Sequence, residues 1–334
     1  MLLALMTVAI AGGMNGSFAA PMNRVRGWQW EHIWLVWSVL AMLVIPLAVA
    51  LATVSHLGAV YTLAGPRALV TTALYGMLWG AGTVLFGLGI ERIGIALSFG
   101  IVLGTSSSAG TLIPLLMRHH RGPLDRAEFL LVAGVAFILL GVAANARGGL
   151  LRETARGQQV GRGSFATGLL ICLLAGIGSS CMSLALNQSA PILEAAQSFG
   201  APETASLNAV WPVLLGGGMT VNVAYCVLLL IRRGNIACFK ESVAGNGLWV
   251  LGMAVLWSGS NLVYGYGARG LGPLGLVVGW PIFMALIVLS ANAWGLLKGE
   301  WRSRGTRPMF WAAAGCLFVL GGIWIVAWSG SAGR

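Results

Sequence analysis

Apolar runs of about twenty residues, separated by short polar clusters, recur from one end of this sequence to the other. They lie at Leu2–Ala20, His32–Thr53, Ala68–Ile90, Ile93–Met117, Ala127–Ala146, Ser164–Leu186, Ser206–Ile231, Gly247–Ala268, Gly272–Leu297 and Met309–Trp328. A helix rises about 1.5 Å per residue, so roughly 20 residues cross a hydrocarbon core about 30 Å thick, and a backbone in lipid must pair its own polar groups. The pattern predicts an all-α integral membrane protein with ten transmembrane helices.

Composition strengthens this reading. Of the 334 residues, 57% are apolar and 9% charged, and the mean hydropathy is +0.85. Soluble domains carry about 25% charged residues, and so few charges do not build a water-facing surface. The 49 glycines are expected to serve helix contact, since small residues let helices approach closely in lipid.

The first run ends in Ser17-Phe18-Ala19-Ala20, which looks like a signal-peptidase site, but no basic stretch precedes it. Arg24 and Arg26 follow it instead, so an uncleaved helix with its N-terminus outside is expected. Assigning the connections after runs 1, 3, 5, 7 and 9 to the cytoplasm collects 14 of the 20 Lys and Arg residues there. Both termini then face the periplasm. The segment Arg118-His119-His120-Arg121, with Asp125 and Arg126, is the basic exception on the outer side. Its two histidines lack third and fourth ligands at suitable spacing, so no metal is expected, and no cofactor motif occurs. The net charge of +11 fits anchoring at an anionic leaflet rather than nucleic-acid binding, because no basic stripe with interleaved aromatics stands in a soluble domain. Five cysteines without a CxxC pattern imply neither disulfides nor zinc. Trp28, Trp30, Trp34 and Trp37 open the second run, where indoles suit the headgroup boundary; they are anchors first and a ligand platform second.

A repeat at a constant offset organises the chain further. Leu78, Trp79, Gly87, Gly89 and Gly94 recur as Leu256, Trp257, Gly265, Gly267 and Gly272, and Phe86 recurs as Tyr264. The matches fall in runs 3–4 and 8–9, so the unit is five helices, and an odd number of crossings inverts the second copy. Two inverted five-helix repeats are expected, at residues 1–146 and 164–334, joined by a basic cytoplasmic linker at 147–163. Transporters of this architecture hold substrate near the midplane between their halves.

All nine acidic residues lie at run ends or between runs. Neither a carboxylate pair nor a Ser/His/Asp set can be assembled in the bilayer, which argues against an enzyme. Neutral polar residues do occupy the runs: Asn15, Ser17, Ser179, Ser180, Ser183, Asn187, Asn222, Ser258, Ser260, Asn261, Tyr264 and Tyr266. Amides and hydroxyls beside Trp79, Trp257, Tyr264 and Trp280 suit an uncharged, hydroxylated ligand such as a sugar. The competing role is helix joining, at about 0.6 kcal/mol per bond. Thr105-Ser106-Ser107-Ser108 is a candidate bend through back-bonding, and Pro212 with Gly216-Gly217-Gly218 a candidate hinge. Gly100-x-x-x-Gly104 and Gly275-x-x-x-Gly279 read as packing motifs.

Several local patterns resemble the L-rhamnose–proton symporters, a branch of the drug/metabolite transporter superfamily. They are Ala20-Pro21 followed by Arg24-Val25-Arg26-Gly27-Trp28-Gln29-Trp30-Glu31, Gly76-Met77-Leu78-Trp79-Gly80, Met182-Ser183-Leu184-Ala185-Leu186-Asn187, Pro191-Ile192-Leu193-Glu194-Ala195-Ala196, Gly216-Gly217-Gly218, Trp280, and Leu297-Lys298-Gly299-Glu300-Trp301. The resemblance implies proton-driven uptake of a deoxysugar across a bacterial inner membrane. It implies Trp79, Ser183, Asn187, Trp257, Tyr264 and Trp280 as lining positions, to which the polar census adds Asn15 and Asn261. Glu194 and Glu31 match family carboxylates at membrane borders and become the proton-coupling candidates. The chain departs from the family pattern at Leu274-Gly275-Leu276-Val277, where a polar stretch with a Tyr and an aspartate is expected, and at Thr83 and Phe86, which replace an Asn and a Tyr. The alternatives are an exporter or uniporter of another small metabolite in the superfamily, and a non-transporting membrane sensor.

Overall fold

The computed structural model describes residues 2–93, 95–118, 125–154, 162–272, 275–297 and 306–332. Among them every regular element is helical. In chain order these are α1 (Leu2–Ser17), α2 (Trp30–Val39), α3 (Ile45–Thr53), α4 (Leu57–Ile93), α5 (Ile95–Arg118), α6 (Arg126–Thr154), α7 (Arg162–Gln188), α8 (Ala190–Ser198), α9 (Glu203–Ser206), α10 (Trp211–Arg233), α11 (Val243–Arg269), α12 (Gly275–Leu297) and α13 (Thr306–Ala332). Short 3₁₀ turns at Ala20–Arg24, Leu207–Ala209 and Ile236–Lys240 complete the connections. Eight segments among the described residues are long and apolar enough to cross a membrane: Leu2–Arg24, Trp30–Thr53, Leu57–Ile90, Arg126–Leu151, Ala166–Gln188, Glu203–Arg233, Val243–Arg269 and Thr306–Val326. The protein is a multi-pass membrane protein.

Glycine packs the bundle as expected. On α6, Gly134, Gly141 and Gly148 recur every seven residues and face α13 along one seam. A side chain at Gly141 would lie 2.7 Å from the carbonyl oxygen of Gly315. On α4, Gly76 abuts the carbonyl of Leu214 and Gly80 that of Gly218, both on α10. α4 also packs on α7, α5 on α6 and α7, and α1 on α11 and α12. Trp294 donates to the Ser17 hydroxyl at 2.7 Å, tying α1 to α12.

Four local features differ from the sequence reading. The third segment starts at Leu57, not Ala68, and breaks at Gly65 (φ +81°) because Pro66 cannot continue the preceding turn. Between α7 and α10, where a loop was expected, α8 forms an amphipathic helix burying Ile192, Leu193, Ala195 and Ala196. Pro212 is no hinge: it sits in the first turn of an unbroken α10, where its missing N–H costs nothing. The interruption falls in the second segment instead. Leu40–Val44 is a π-turn in which the Ile45 N–H bonds Leu40 O. The carbonyl of Ala41 then has no donor at Ile45, and none at Pro46, which lacks an N–H. The hydroxyl of Ser258, on α11, bonds that carbonyl.

Candidate functional site

α11 presents Trp257, Asn261 and Tyr264 at i, i+4 and i+7, hence on one face. Trp257 stacks on Trp79 of α4, with ring centroids 5.6 Å apart and planes at 28°. Trp37 meets the edge of Trp257 at 5.1 Å, Trp34 follows at 4.4 Å, and Trp30 stacks on Trp34 at 5.2 Å. The indoles thus run in a continuous series from the start of α2 to the Trp79–Trp257 pair. Gly218 permits this, since a side chain there would collide with the Trp79 ring. Trp37, expected at the headgroup boundary, is 1% exposed; the tertiary fold turns it from an anchor into part of the core platform.

Asn222 locks the platform. Its Oδ1 accepts from Trp34 Nε1 at 2.9 Å and lies 3.0 Å from Thr83 Oγ1, whose single proton is shared with the nearer Gly80 carbonyl at 2.7 Å. Its Nδ2 donates to the carbonyls of Gly218 at 2.9 Å and Gly80 at 3.4 Å. Both amide donors are used and the oxygen accepts from Trp34, so the side chain joins α2, α4 and α10. Beside this satisfied hub, the Trp37 indole N–H and the Ser38 hydroxyl are buried without a hydrogen-bond partner among the described residues. Buried donors cost free energy unless paired, so they mark a place for a polar ligand or water.

A second aromatic group lies two turns along α11 from Trp257, about 10 Å away. Tyr264 stacks on Phe283 at 4.7 Å and meets Trp280 edge-on at 6.0 Å. Trp280 Nε1 reaches the Ser106 carbonyl at 3.4 Å, and Ser183 donates to the Gly110 carbonyl at 2.8 Å. Gly110 lacks the side chain that would collide with Trp280 and Ser183. Of the expected lining residues, the fold therefore brings Trp79 to Trp257, and Tyr264, Trp280 and Ser183 to one cluster. The Asn187 and Asn261 amides donate to the carbonyls of Ser183 and Trp257, one turn back on their own helices. Asn15 stands apart and bonds Ser260 at 2.9 Å, joining α1 to α11.

The two coupling candidates occupy opposite environments. Glu194 is exposed on α8. Glu31 is fully buried at the start of α2, where Oε2 accepts from Arg233 Nη1 at 2.9 Å and Oε1 accepts from Asn235 Nδ2. The His32 ring nitrogen Nε2 bonds the Asn235 carbonyl at 2.9 Å, while His32 Nδ1 has no partner among the described residues. A looser ion pair, Arg269 to Glu203 at 3.6 Å with Glu203 largely exposed, joins α11 to α9. Sequence reasoning ranked Trp37 as an anchor before a platform and named Asn222 only in the polar census, and it gave Arg233 and Asn235 no site role. Arg233 was visible as a topology charge, and only the αL turn at Gly234 (φ +62°) brings Asn235 back towards α2. His119, His120 and Leu274 lie outside the described residues.

Comparison with known proteins places these features in context. The family model for the L-rhamnose-proton symport protein matches residues 1–332. The L-rhamnose-proton symporter of Cronobacter sakazakii is 27% identical over 319 residues, spanning 93% of this chain and 92% of its own. That of Mannheimia succiniciproducens is 26% identical over 311 residues, spanning 91% and 90%. A crystal structure at 16% identity shares the fold, with a TM-score of 0.59 over 97% of this chain and 96% of that one. The chain belongs to the L-rhamnose-proton symport protein family, a family of transporters and not of enzymes.

Proposed function

We propose that this protein takes up L-rhamnose or a related neutral deoxysugar across the bacterial inner membrane together with a proton, by alternating access between two inverted five-helix halves. The observation that carries the reading is the Trp79–Trp257 stack. These tryptophans are 178 positions apart, equivalent in the repeat, and in mutual contact. Equivalent residues of an inverted pair meet on its pseudo-two-fold axis, at the interface where such transporters hold substrate.

The packing supports the same axis. With α5 (24 residues) and α12 (23 residues) counted as crossings, the helices number ten, in the superfamily arrangement the sequence resembles. The contact of α4 with α7 then answers to that of α11 with α1, and α5 with α7 to α12 with α1. The pairs α6–α13 and α5–α12 are self-equivalent. The end contacts support the alternation of ends between two sides, the sides themselves being assigned from charge alone. Arg26 pairs with Asn246 through two hydrogen bonds, and Arg147 lies 4.8 Å over the Trp311 ring, all at ends assigned to the cytoplasm. Arg126 over Trp328 and Arg269 with Glu203 join ends assigned outside.

In this reading the indole faces pack against sugar C–H surfaces, and buried donors such as Trp37 Nε1 take sugar oxygens. Binding of a neutral polyol needs no charged residue. Proton coupling falls to Glu31 rather than Glu194, because a buried carboxylate bound to Arg233 changes its contacts across α2 and α10 when protonated. An exposed carboxylate changes little beyond its hydration. The test is counterflow of labelled L-rhamnose in proteoliposomes, with and without an imposed pH gradient. Sugar exchange that a pH gradient drives to accumulation is the expected result; folded protein without rhamnose exchange would overturn the substrate assignment, and accumulation indifferent to the gradient would overturn the coupling.

A further inference from the structure

We infer that a groove between α5, α6 and α7 is a binding site for one acyl chain of an anionic phospholipid whose phosphate sits at Arg147. The inference stands on the membrane location of the protein and does not depend on the sugar assignment.

The groove has a volume of about 770 Å³ and lies at the bundle's periphery rather than at the aromatic platform. Its floor is Gly100, Gly104 and Ala109 of α5, and its walls include Val142 and Ala143 of α6 and Leu173 of α7. From Gly100 to Leu112 it follows twelve residues of helix, roughly 18 Å. One leaflet of a hydrocarbon core about 30 Å thick is close to that depth. The lining is largely apolar: of its two hydroxyl residues, Thr105 and Ser108, the Ser108 hydroxyl is already bonded to the Gly104 carbonyl at 2.8 Å. A hydroxylated solute gains little there, whereas a hydrocarbon chain meets a fitted surface.

Charge fixes the choice among lipids. Gly100 packs on Ala146, so Arg147, the next residue, stands at the Gly100 mouth. The Arg147 side chain is exposed, and its guanidinium carbon stands over the Trp311 ring, 4.8 Å from the centroid. A cation–π contact uses none of the guanidinium N–H groups as conventional donors to oxygen, so they can still meet a phosphate. In sequence, residues 147–162 carry four arginines against Glu153 alone, a basic composition of the kind that attracts anionic headgroups. An apolar slot of leaflet depth with a cation at its headgroup end is complementary to a phosphatidylglycerol-type lipid.

The test uses the full chain in detergent, exchanged against equal phosphatidylglycerol and phosphatidylcholine, with retained lipid counted by native mass spectrometry and melting temperature followed in parallel. Phosphatidylglycerol should be retained over phosphatidylcholine by about fivefold for the one arginine contact. R147Q should bring the two lipids to parity, R147K should restore part of the preference, and A143F, which fills the groove, should remove retention of both. Equal retention of the two lipids by the unmodified protein would overturn the proposal. So would undiminished phosphatidylglycerol preference in both R147Q and A143F at unchanged melting temperature, or displacement of the lipid by L-rhamnose.

Discussion

The Arg233 guanidinium lies 2.9 Å from Oε2 of Glu31, joining the end of α10 to the start of α2. Arg233 is half-exposed, whereas the Glu31 side chain is fully buried. The two partners therefore respond differently to removal.

Glu31→Gln keeps the shape and the Asn235 contact but ends the ion pair and the exchangeable proton. Under the coupling proposed for Glu31, this variant retains rhamnose exchange while the pH-driven accumulation ratio falls to about unity. Glu194→Gln leaves accumulation unchanged. Arg233→Ala leaves the buried carboxylate with Asn235 as its side-chain partner and lowers stability by about 1–3 kcal/mol, read as a loss of melting temperature. The reverse pattern, with Glu194→Gln abolishing accumulation, would transfer the coupling role to α8.

Replacing Trp257 tests the platform. Trp257→Phe preserves a ring against Trp79 and Trp37, whereas Trp257→Ala leaves a cavity and costs about 3–5 kcal/mol. Counterflow should survive in the Phe variant and drop by about tenfold or more in the Ala variant, the scale of one lost aromatic contact. Equal rates in both folded variants would remove Trp257 from the sugar site.

The glycine triplet of α10 predicts opposite signs at adjacent positions. Gly217→Ala drives a methyl into the carbonyl of Ala73, and the helices must part. Gly216→Ala meets nothing within 4 Å and should be neutral or stabilising by about 0.5–1 kcal/mol through helix propensity. Thermal unfolding of the two single variants decides this, and similar shifts would contradict the packing described.

Ser258→Ala removes the hydroxyl that satisfies Ala41 O at the π-turn. The expected loss is about 1–3 kcal/mol, that of an unsatisfied buried carbonyl. Pro46→Ala restores an N–H to the second segment, so combining it with Ser258→Ala should recover part of the loss. A combined variant no more stable than Ser258→Ala would mean that the carbonyl is not the cause.

Much of the architecture was legible in the chain because lipid imposes a single rule, that each apolar run pair its backbone internally. Runs of sufficient length and the polar clusters between them depend on local sequence alone. Distance in sequence hid the rest. Trp37 belongs to the platform only because Gly218 lets α4 and α10 close on Trp79. Asn222 becomes a hub only where α2, α4 and α10 meet. Glu31 reads as an ordinary border carboxylate until Arg233, 202 positions later, turns back onto it. Helix identity follows from the residues within a run, but which residues share a site follows from the packing of runs far apart in the chain, and that only the tertiary structure decided.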